Sequence, residues 1–363
     1  MQKPDRRSII SIIILICIAL GIRLYASSSG TIESSYTSGI YPYISSFLRR
    51  LLGSVPFSVG DVLYGFLFFF ALWKVAQWPK RLRKDKLTGF RSKIAWLKTF
   101  RFFLLLYIIF NLMWGLNYDR KGIHYQMDFR REEYSKEEVI NINNVLLQQV
   151  NTCKEALLRQ GISYPSTKDL FKKTNHAFAE AAKKYSFLRY SHPSVKPSLF
   201  NFIGNYFGFS GYYNPFTGEA QVNTDVPQFL QPYISCHEIS HQLGYAKENE
   251  ANFAGYIVAT ASGDSLFMYS AYFDLFLYAN GNLYRTDSVA AKRFLALLHP
   301  GVKEDIETLK AYYKKYENPA EPVFRWLYGK YLEANDQPLG MTTYSEVVAD
   351  VIAWHKKYGQ PGG

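Results

Sequence analysis

Cysteine is scarce in this chain, 3 in 363 residues, and Cys17 lies inside an apolar run near the N-terminus. Cys153 and Cys236 cannot make a disulfide framework, so a fold stapled by disulfides is excluded. Cys236 opens a stretch that reads as a buried helix, where a reduced thiol is expected. Internal repeats and low-complexity tracts are absent as well, which leaves room for one large or two modest globular units.

Acidic residues are outnumbered, 30 Asp and Glu against 42 Lys and Arg, for a net charge of +12. A basic chain with 29 Tyr and 27 Phe could bind nucleic acid, so the position of the charge has to decide. Three long apolar runs occupy the first third, at about 9–26, 57–78 and 100–116. Each has about the ~20 residues needed to cross a bilayer. Trp73, Trp78, Trp96 and Trp114 sit near their ends, where indole suits the interface. Lys3, Arg6 and Arg7 precede the first run. Lys80, Arg81, Arg83, Lys84, Lys86, Arg91, Lys93 and Lys98 fill the link between the second and third. By the positive-inside rule both regions face the cytoplasm, and everything after about Asn117 lies outside it. Much of the basic excess is then topological signal. The expected partner is the lipid bilayer, not nucleic acid.

Histidine is nearly as sparse as cysteine, 7 in all, and two of them fall in Cys236-His237-Glu238-Ile239-Ser240-His241. On a helix, residues four apart stack on one face, so the two imidazoles converge on one point. Glu238 stands one step round, where a carboxylate can act as general base beside a metal without ligating it. Chance should place this pattern in on the order of 1 chain in 100 of such composition. The context adds to it: Ile234, Ile239 and Leu243 supply a core face, and Gly244 can stop the helix.

Zinc needs a third protein ligand and an open position. Glu248 has Asn252 four residues on, so a ligand and an amide supporting a ligand histidine would share a face. Glu250 competes, because Asn249 could cap a new helix and bring Glu250 level with His241. The helical register favours Glu248, and both stay open.

His237-Glu238-Ile239-Ser240-His241 with a downstream Glu-x-x-Ala-Asn resembles the gluzincin metallopeptidases, whose third ligand is a Glu on the next helix. The run from Gly211 to Tyr256 also resembles the DUF3810 family of bacterial membrane proteins of unknown function, and the likeness extends along most of the chain. The first resemblance implies a zinc-dependent metallohydrolase with one zinc ion, a peptide or protein substrate, and a zincin-like domain. The second implies a bacterial inner membrane protein. Asn252 stands where gluzincins carry Asp, and the spacing from His241 to the Glu is short, so substrate class does not carry over. Two other readings need the same residues in part. A zinc-stabilised sensor or assembly factor would use the ligands but not Glu238, and a cell-wall amidase would use them all.

The remaining pattern is mainly α with a small sheet. Ser135 to Glu138 forms a capping-box pattern that opens a helix through Val150 or beyond, and another helix covers about 166–185. His176 within it has no partner at helical spacing and reads as a plain polar residue. Residues 186–232 favour strands and turns, with a hairpin at Asn214-Pro215-Phe216-Thr217-Gly218. In gluzincins the strand before the zinc helix lines the cleft. The resemblance therefore assigns Glu219, Ala220, Gln221, Val222 and Asn223 to a substrate-pairing sheet edge. The segment Ser27 to Ser54 reads as a short ordered cap. Small residues Ala251, Ala254, Gly255, Ala259 and Ala261 let two helices approach closely. Helices should follow to the C-terminus, with breaks at Gly281, Pro300, Pro319 and Pro338. Tyr328, Tyr344, His299 and His355 are candidates for an oxyanion donor. The division expected is a membrane region over 1–116 and an extracytoplasmic domain over 117–363.

Topology is directly testable. A reporter fused after Gly363 should report as extracytoplasmic and one inserted near Thr88 as cytoplasmic; a C-terminus in the cytoplasm would overturn the assignment.

Overall fold

A computed structural model describes residues 6–77, 93–335, 337 and 344–359. The basic run from Lys80 to Arg91 and the side chain of Tyr344 lie outside the described residues. Most of the chain is helical, with one three-stranded sheet.

Helix α1 (Arg6–Ala26) packs along α4 (Lys93–Met113), while α3 (Val59–Ala76) meets the rest of the protein through its first turns. These three are long and apolar enough to cross a membrane. They bury little of themselves, and every residue of α3 from Phe66 to Ala76 is exposed. Such surface is stable only against an apolar solvent.

The segment between α1 and α3 is not a short cap. It runs as Ser29–Thr31, a π-helical turn at Ile32–Ile40, and α2 (Tyr41–Leu52). Its polar Ser, Tyr and Gly content hides an amphipathic pattern, because Ile32, Tyr36 and Tyr41 are all buried against Trp114, Leu116 and Tyr118. The π-helix also carries Glu33, whose carboxylate pairs with Arg120 at 3.0 Å in a nearly solvent-free setting.

The body is built on α5 (Lys136–Gln160), α6 (Thr167–Lys184), α8 (Gln231–Gln242), α9 (Glu248–Ala261) and α10 (Ser265–Thr286). The capping box at Ser135 and Glu138 forms as expected and starts α5. α10 runs along α5, and α8 lies against α9. Phe253, Tyr256, Phe267, Tyr272, Phe273 and Phe276 fill the space between them, each almost wholly buried. The expected break at Gly281 does not occur, since α10 continues through it to Thr286. Apolar contacts at Ala279 and Leu283 on either side offset the low helix propensity of one glycine. The C-terminal helices are α11 (Ser288–Ala296), α12 (Pro300–Tyr316), α13 (Glu321–Ala334) and α14 (Tyr344–Tyr358).

Residues 186–232 hold the sheet, β1 (Val195–Pro197), β2 (Gly211–Asn214) and β3 (Glu219–Val222), and also a helix that the pattern does not predict, α7 (Asn201–Phe207). β3 is central, parallel to β1 and antiparallel to β2. The β2–β3 hairpin turns at Asn214, whose side-chain oxygen accepts from the amides of Phe216 and Thr217.

The sheet grips α3. Glu219 is fully buried, and its two oxygens accept from the amides of Val59 and Gly60 at 3.1 and 2.6 Å. A carboxylate at a helix N-terminus satisfies donors that would otherwise be orphaned, worth about 1.5–3 kcal/mol per charged hydrogen bond. Asp61 reaches back to the amide of Leu199 at 2.7 Å. The apolar helix and the sheet thus share buried polar contacts at both ends of the joint.

Arg120 joins the π-helix to the turn between α8 and α9. Besides Glu33 it donates to the Gly244 carbonyl at 3.0 Å and stacks on Tyr245 at 4.6 Å. Removing one partner of a buried pair leaves an uncompensated charge, so Arg120→Met should destabilise the protein by about 3–5 kcal/mol. Denaturant unfolding of the purified chain in detergent checks this, and a loss under about 1 kcal/mol would remove the pair from the account.

Candidate metal centre

α8 begins with Pro232 in its first turn, is capped at Leu243, and is followed by Gly244, which takes the left-handed conformation at φ +92°. Of its twelve residues, all but His237 are buried. The partial exposure of His237 marks the side of the helix that opens to a cavity.

His237 and His241 fall on one face, as the spacing requires, with their Nε2 atoms 3.1 Å apart. The Nδ1 of His241 lies 2.6 Å from the Tyr245 carbonyl. That bond fixes the tautomer, with the proton on Nδ1 and the Nε2 lone pair aimed at the centre. The ring of His237 lies beside Asn252, although His237 Nδ1 and Asn252 Nδ2 make no hydrogen bond among the described residues. Gly255 on α9 would put a Cβ 3.1 Å from the His237 amide, so the small residue here sets how close the two helices come.

The two candidate carboxylates separate cleanly. α9 starts at Glu248, not at Asn249, and Lys247 takes the cap position. Glu248 Oε2 stands 3.4 Å from His237 Nε2, and its Oε1 stands 3.8 Å from His241 Nε2. Two residues further on, Glu250 points away round the helix toward Arg120 and Gly122. Burial raises the carboxyl of Glu250, with Arg120 opposing the rise. The Asn249 cap that would have swung Glu250 to the histidines does not form, since Asn249 already lies inside the first turn of α9, where its side-chain Nδ2 donates to Asp350 at 3.2 Å.

Glu238 is the second acid at the centre. Potential ligand atoms of His237, Glu238 and His241 lie within 4.8 Å of one another, but Glu248 is nearer to both Nε2 atoms. Glu238 Oε1 faces Gly211 on β2, where a Cβ would come within 2.5 Å, and its Oε2 is buried with no hydrogen-bond partner among the described residues. Glu250 Oε2 is buried without a partner as well, so what sets Glu238 apart is its place beside both histidines and in the cavity wall.

The electrostatics diverge across the four groups. Burial raises Glu238 to about 8, against the pull of His237 and with Glu248 adding to the rise. Burial opposes charge on His237, but the Glu248 carboxylate overrides it and the imidazole rises to about 9. His241, buried beside His237, falls to about 4. Burial opposes charge on Glu248 too, yet the two imidazoles bring it down to about 2.

A tetrahedral ion with bonds of about 2.0–2.1 Å separates its ligand atoms by about 3.3–3.4 Å. The 3.1 Å between the two Nε2 atoms and the 3.4 Å from His237 Nε2 to Glu248 Oε2 come near that, and the other Glu248 oxygen stands 3.8 Å from His241 Nε2. Two nitrogens and one oxygen are also a donor set that zinc accepts. The residues present fit the ion.

The centre lies in a cavity of about 880 Å³. Among the oxyanion candidates with described side chains, only Tyr328 lines it, and its hydroxyl donates to Glu248 Oε1 at 2.7 Å. His299 caps α12 through the Gly301 amide, and His355 faces the Tyr256 hydroxyl. The assignment of β3 to a substrate-pairing edge is corrected. β3 has a partner on each side, and its residues are spent on structure: Glu219 on α3, Ala220 and Val222 in the core, Gln221 against Ser58, and Asn223 on Asn205. The edge toward the cavity is β2, through Gly211, Tyr212 and Tyr213. The hairpin sequence left it undecided which arm lies outermost.

Other residues here carry no motif. Tyr41 and Ser45 donate to the Gln242 carbonyl at 3.1 and 2.8 Å, closing the C-terminal end of α8. Trp114 stands edge-on to His241 at 6.1 Å. Nothing in the local sequence marks them.

Fold and centre together describe a mainly helical protein, with three helices apolar enough for a membrane and a buried cluster of two histidines and two glutamates. Residues 36–352 match the family described as a protein of unknown function (DUF3810), and the chain belongs to that family. No curated protein and no solved structure matches the chain.

Zinc content of purified variants separates the two carboxylates. Glu248→Ala should lose most of the metal, Glu250→Gln should keep it, and Asn252→Ala should bind about 10-fold more weakly. Full occupancy in Glu248→Ala would overturn the geometry argued above.

Proposed function

We propose that this chain is a membrane-anchored zinc-dependent metallohydrolase, most readily a peptidase. Its domain would be of zincin type and face the outside of the bacterial inner membrane. The observation that carries the reading is the convergence of His237, His241 and Glu248 at near-tetrahedral separations beside a second buried acid, Glu238, with one oxygen unpartnered. His237, His241 and Glu248 would hold the zinc, which when bound supplies Lewis acidity and a water acidified to near neutral pH.

The protein's own groups divide the rest of the work. Glu238, which lines the cavity beside both imidazoles with one oxygen unpartnered, is a carboxylate placed to take a proton from water and pass it to a leaving amine. Tyr328 already donates to Glu248 at the centre and is placed to turn its hydroxyl toward a developing oxyanion. The open edge of β2 offers backbone groups that can pair with an extended peptide. A sensor or assembly factor would need the ligands but not a buried, unpartnered Glu238, so the hydrolase reading accounts for more of the site.

Glu238→Gln keeps shape and removes the base. The variant should retain zinc and lose cleavage of a peptide library by at least about 100-fold. Undiminished cleavage in that variant would sink the role given to Glu238.

A further inference from the structure

The cavity is not walled by the domain alone. Tyr64 from the second turn of α3 and Phe110 from the last turn of α4 both line it, facing Phe207, Phe324 and Tyr331. α3 and α4 are two of the three helices suited to a bilayer, so a substrate in this cavity touches the ends of both.

The rim extends the same surface. Phe207 on α7 stacks on Phe324 of α13 at 3.7 Å, which ties the two helices together. Around that joint Leu199, Phe202, Ile203, Val323, Trp326 and Leu327 are exposed. α7 is fastened to α3 through the Leu199 amide on Asp61, and Phe200 approaches Gly65. The exposed rim is thus continuous with the bare flank of α3. On a water-facing surface a patch of this kind is a liability; at the bilayer edge, with Trp326 among its members, it is a lipid-facing margin. Charged residues, Lys314 and the Arg325–Glu321 pair, line the cavity as well, so its wall combines aromatic and charged groups.

Size limits what can enter. A helix about 10 Å across occupies roughly 400 Å³ per turn, so a cavity of about 880 Å³ holds some two turns and cannot enclose a membrane-spanning helix. It suits an extended peptide along β2 with an alkyl chain beside it.

We propose that the cleft takes its substrate from the bilayer, and that this substrate is a peptide bearing a fatty-acyl anchor. The alkyl chain lies along the aromatic wall formed by Tyr64, Phe207 and Phe324, and the amide to be cut lies at His237, His241 and Glu248. This rests on the hydrolase reading. The reaction is plain hydrolysis: the C–N bond breaks, water gives hydroxyl to the acyl carbon, and its proton passes through Glu238 to the amine.

The test uses the full chain in nanodiscs. The Glu238→Gln variant is irradiated with a palmitoylated peptide carrying a diazirine on its alkyl chain, and labelled residues are mapped by mass spectrometry. Label should concentrate on α7 and α13 at the cavity and be competed by the same peptide without diazirine. Label confined to the outer faces of α1, α3 and α4 overturns the proposal, as does equal competition by the peptide lacking the acyl chain or by a membrane-spanning helical peptide. In the unmodified protein, the acylated peptide should be cut with a kcat/KM at least about 10-fold above its non-acylated form. Phe324→Ser should bring that ratio close to one, while Phe324→Leu, which keeps an apolar wall, retains it. Equal cleavage of both peptides removes the acyl preference and leaves the hydrolase reading standing. Cavity labelling with no cleavage of either removes the hydrolase reading and leaves the acyl-peptide site standing.

Discussion

Helix α8 is buried almost end to end, so the groups at its two ends have to be met from inside the protein. That constraint organises the structure around it. Its first turn is met by Ser270 from α10, which accepts from the Tyr233 amide at 3.0 Å. Its last turn is met by Tyr41 and Ser45, which come from a segment nearly 200 residues earlier. The Gln242 amide bridges the carbonyls of Ser194 and Gly218, so the same helix end also fixes the sheet. Its open side is the one that carries His237, Glu238 and His241 to the cavity. A helix held this way cannot rotate without breaking several buried hydrogen bonds at once, each costing about 1–3 kcal/mol when left unmade. The imidazole directions are therefore set by contacts outside the cluster.

Much of this was legible from the residues. The His237–His241 spacing, the stop at Gly244 and the small residues of α9 encode their geometry locally, through helical periodicity and steric size, so the pattern predicts it. The choice of Glu248 over Glu250 as nearest neighbour was half legible. Its i,i+4 relation to Asn252 is local, but the competing cap at Asn249 is lost because α9 starts one residue earlier, with Asn249 held inside its first turn by Asp350, a hundred residues on. Long-range competition of this kind leaves no trace in a window of sequence.

The misread parts share a cause. Ser29 to Leu52 looks like polar loop because its apolar positions are diluted by Ser and Tyr, yet those hydroxyls are spent on interior bonds, as with Tyr41 and Ser45. α7 lies in a stretch rich in Gly and Pro that argues against helix, and its stability comes from stacking on α13 and pairing with Asp225 through Asn205. Which strand of the hairpin is central depends on β1, placed there by a parallel pairing that the hairpin sequence does not contain. In each case tertiary partners decide what local propensity leaves open.

The joint between Glu219 and α3 links the site to one of the three long apolar helices through a short stretch of backbone. Glu219 holds the first amides of α3, β3 then leads through a short connection into α8, and β2, paired to β3 on its other flank, passes within contact of Glu238. A tilt of α3 would load β3 directly, because a buried carboxylate cannot give up two amide donors without a cost of several kcal/mol. The resisting elements, β1 and the Gln242 bridge, are the ones that also fix α8. The same contacts that anchor an apolar helix thus hold the histidines in register, which explains why a polar, fully buried residue is tolerated at the centre of a small sheet.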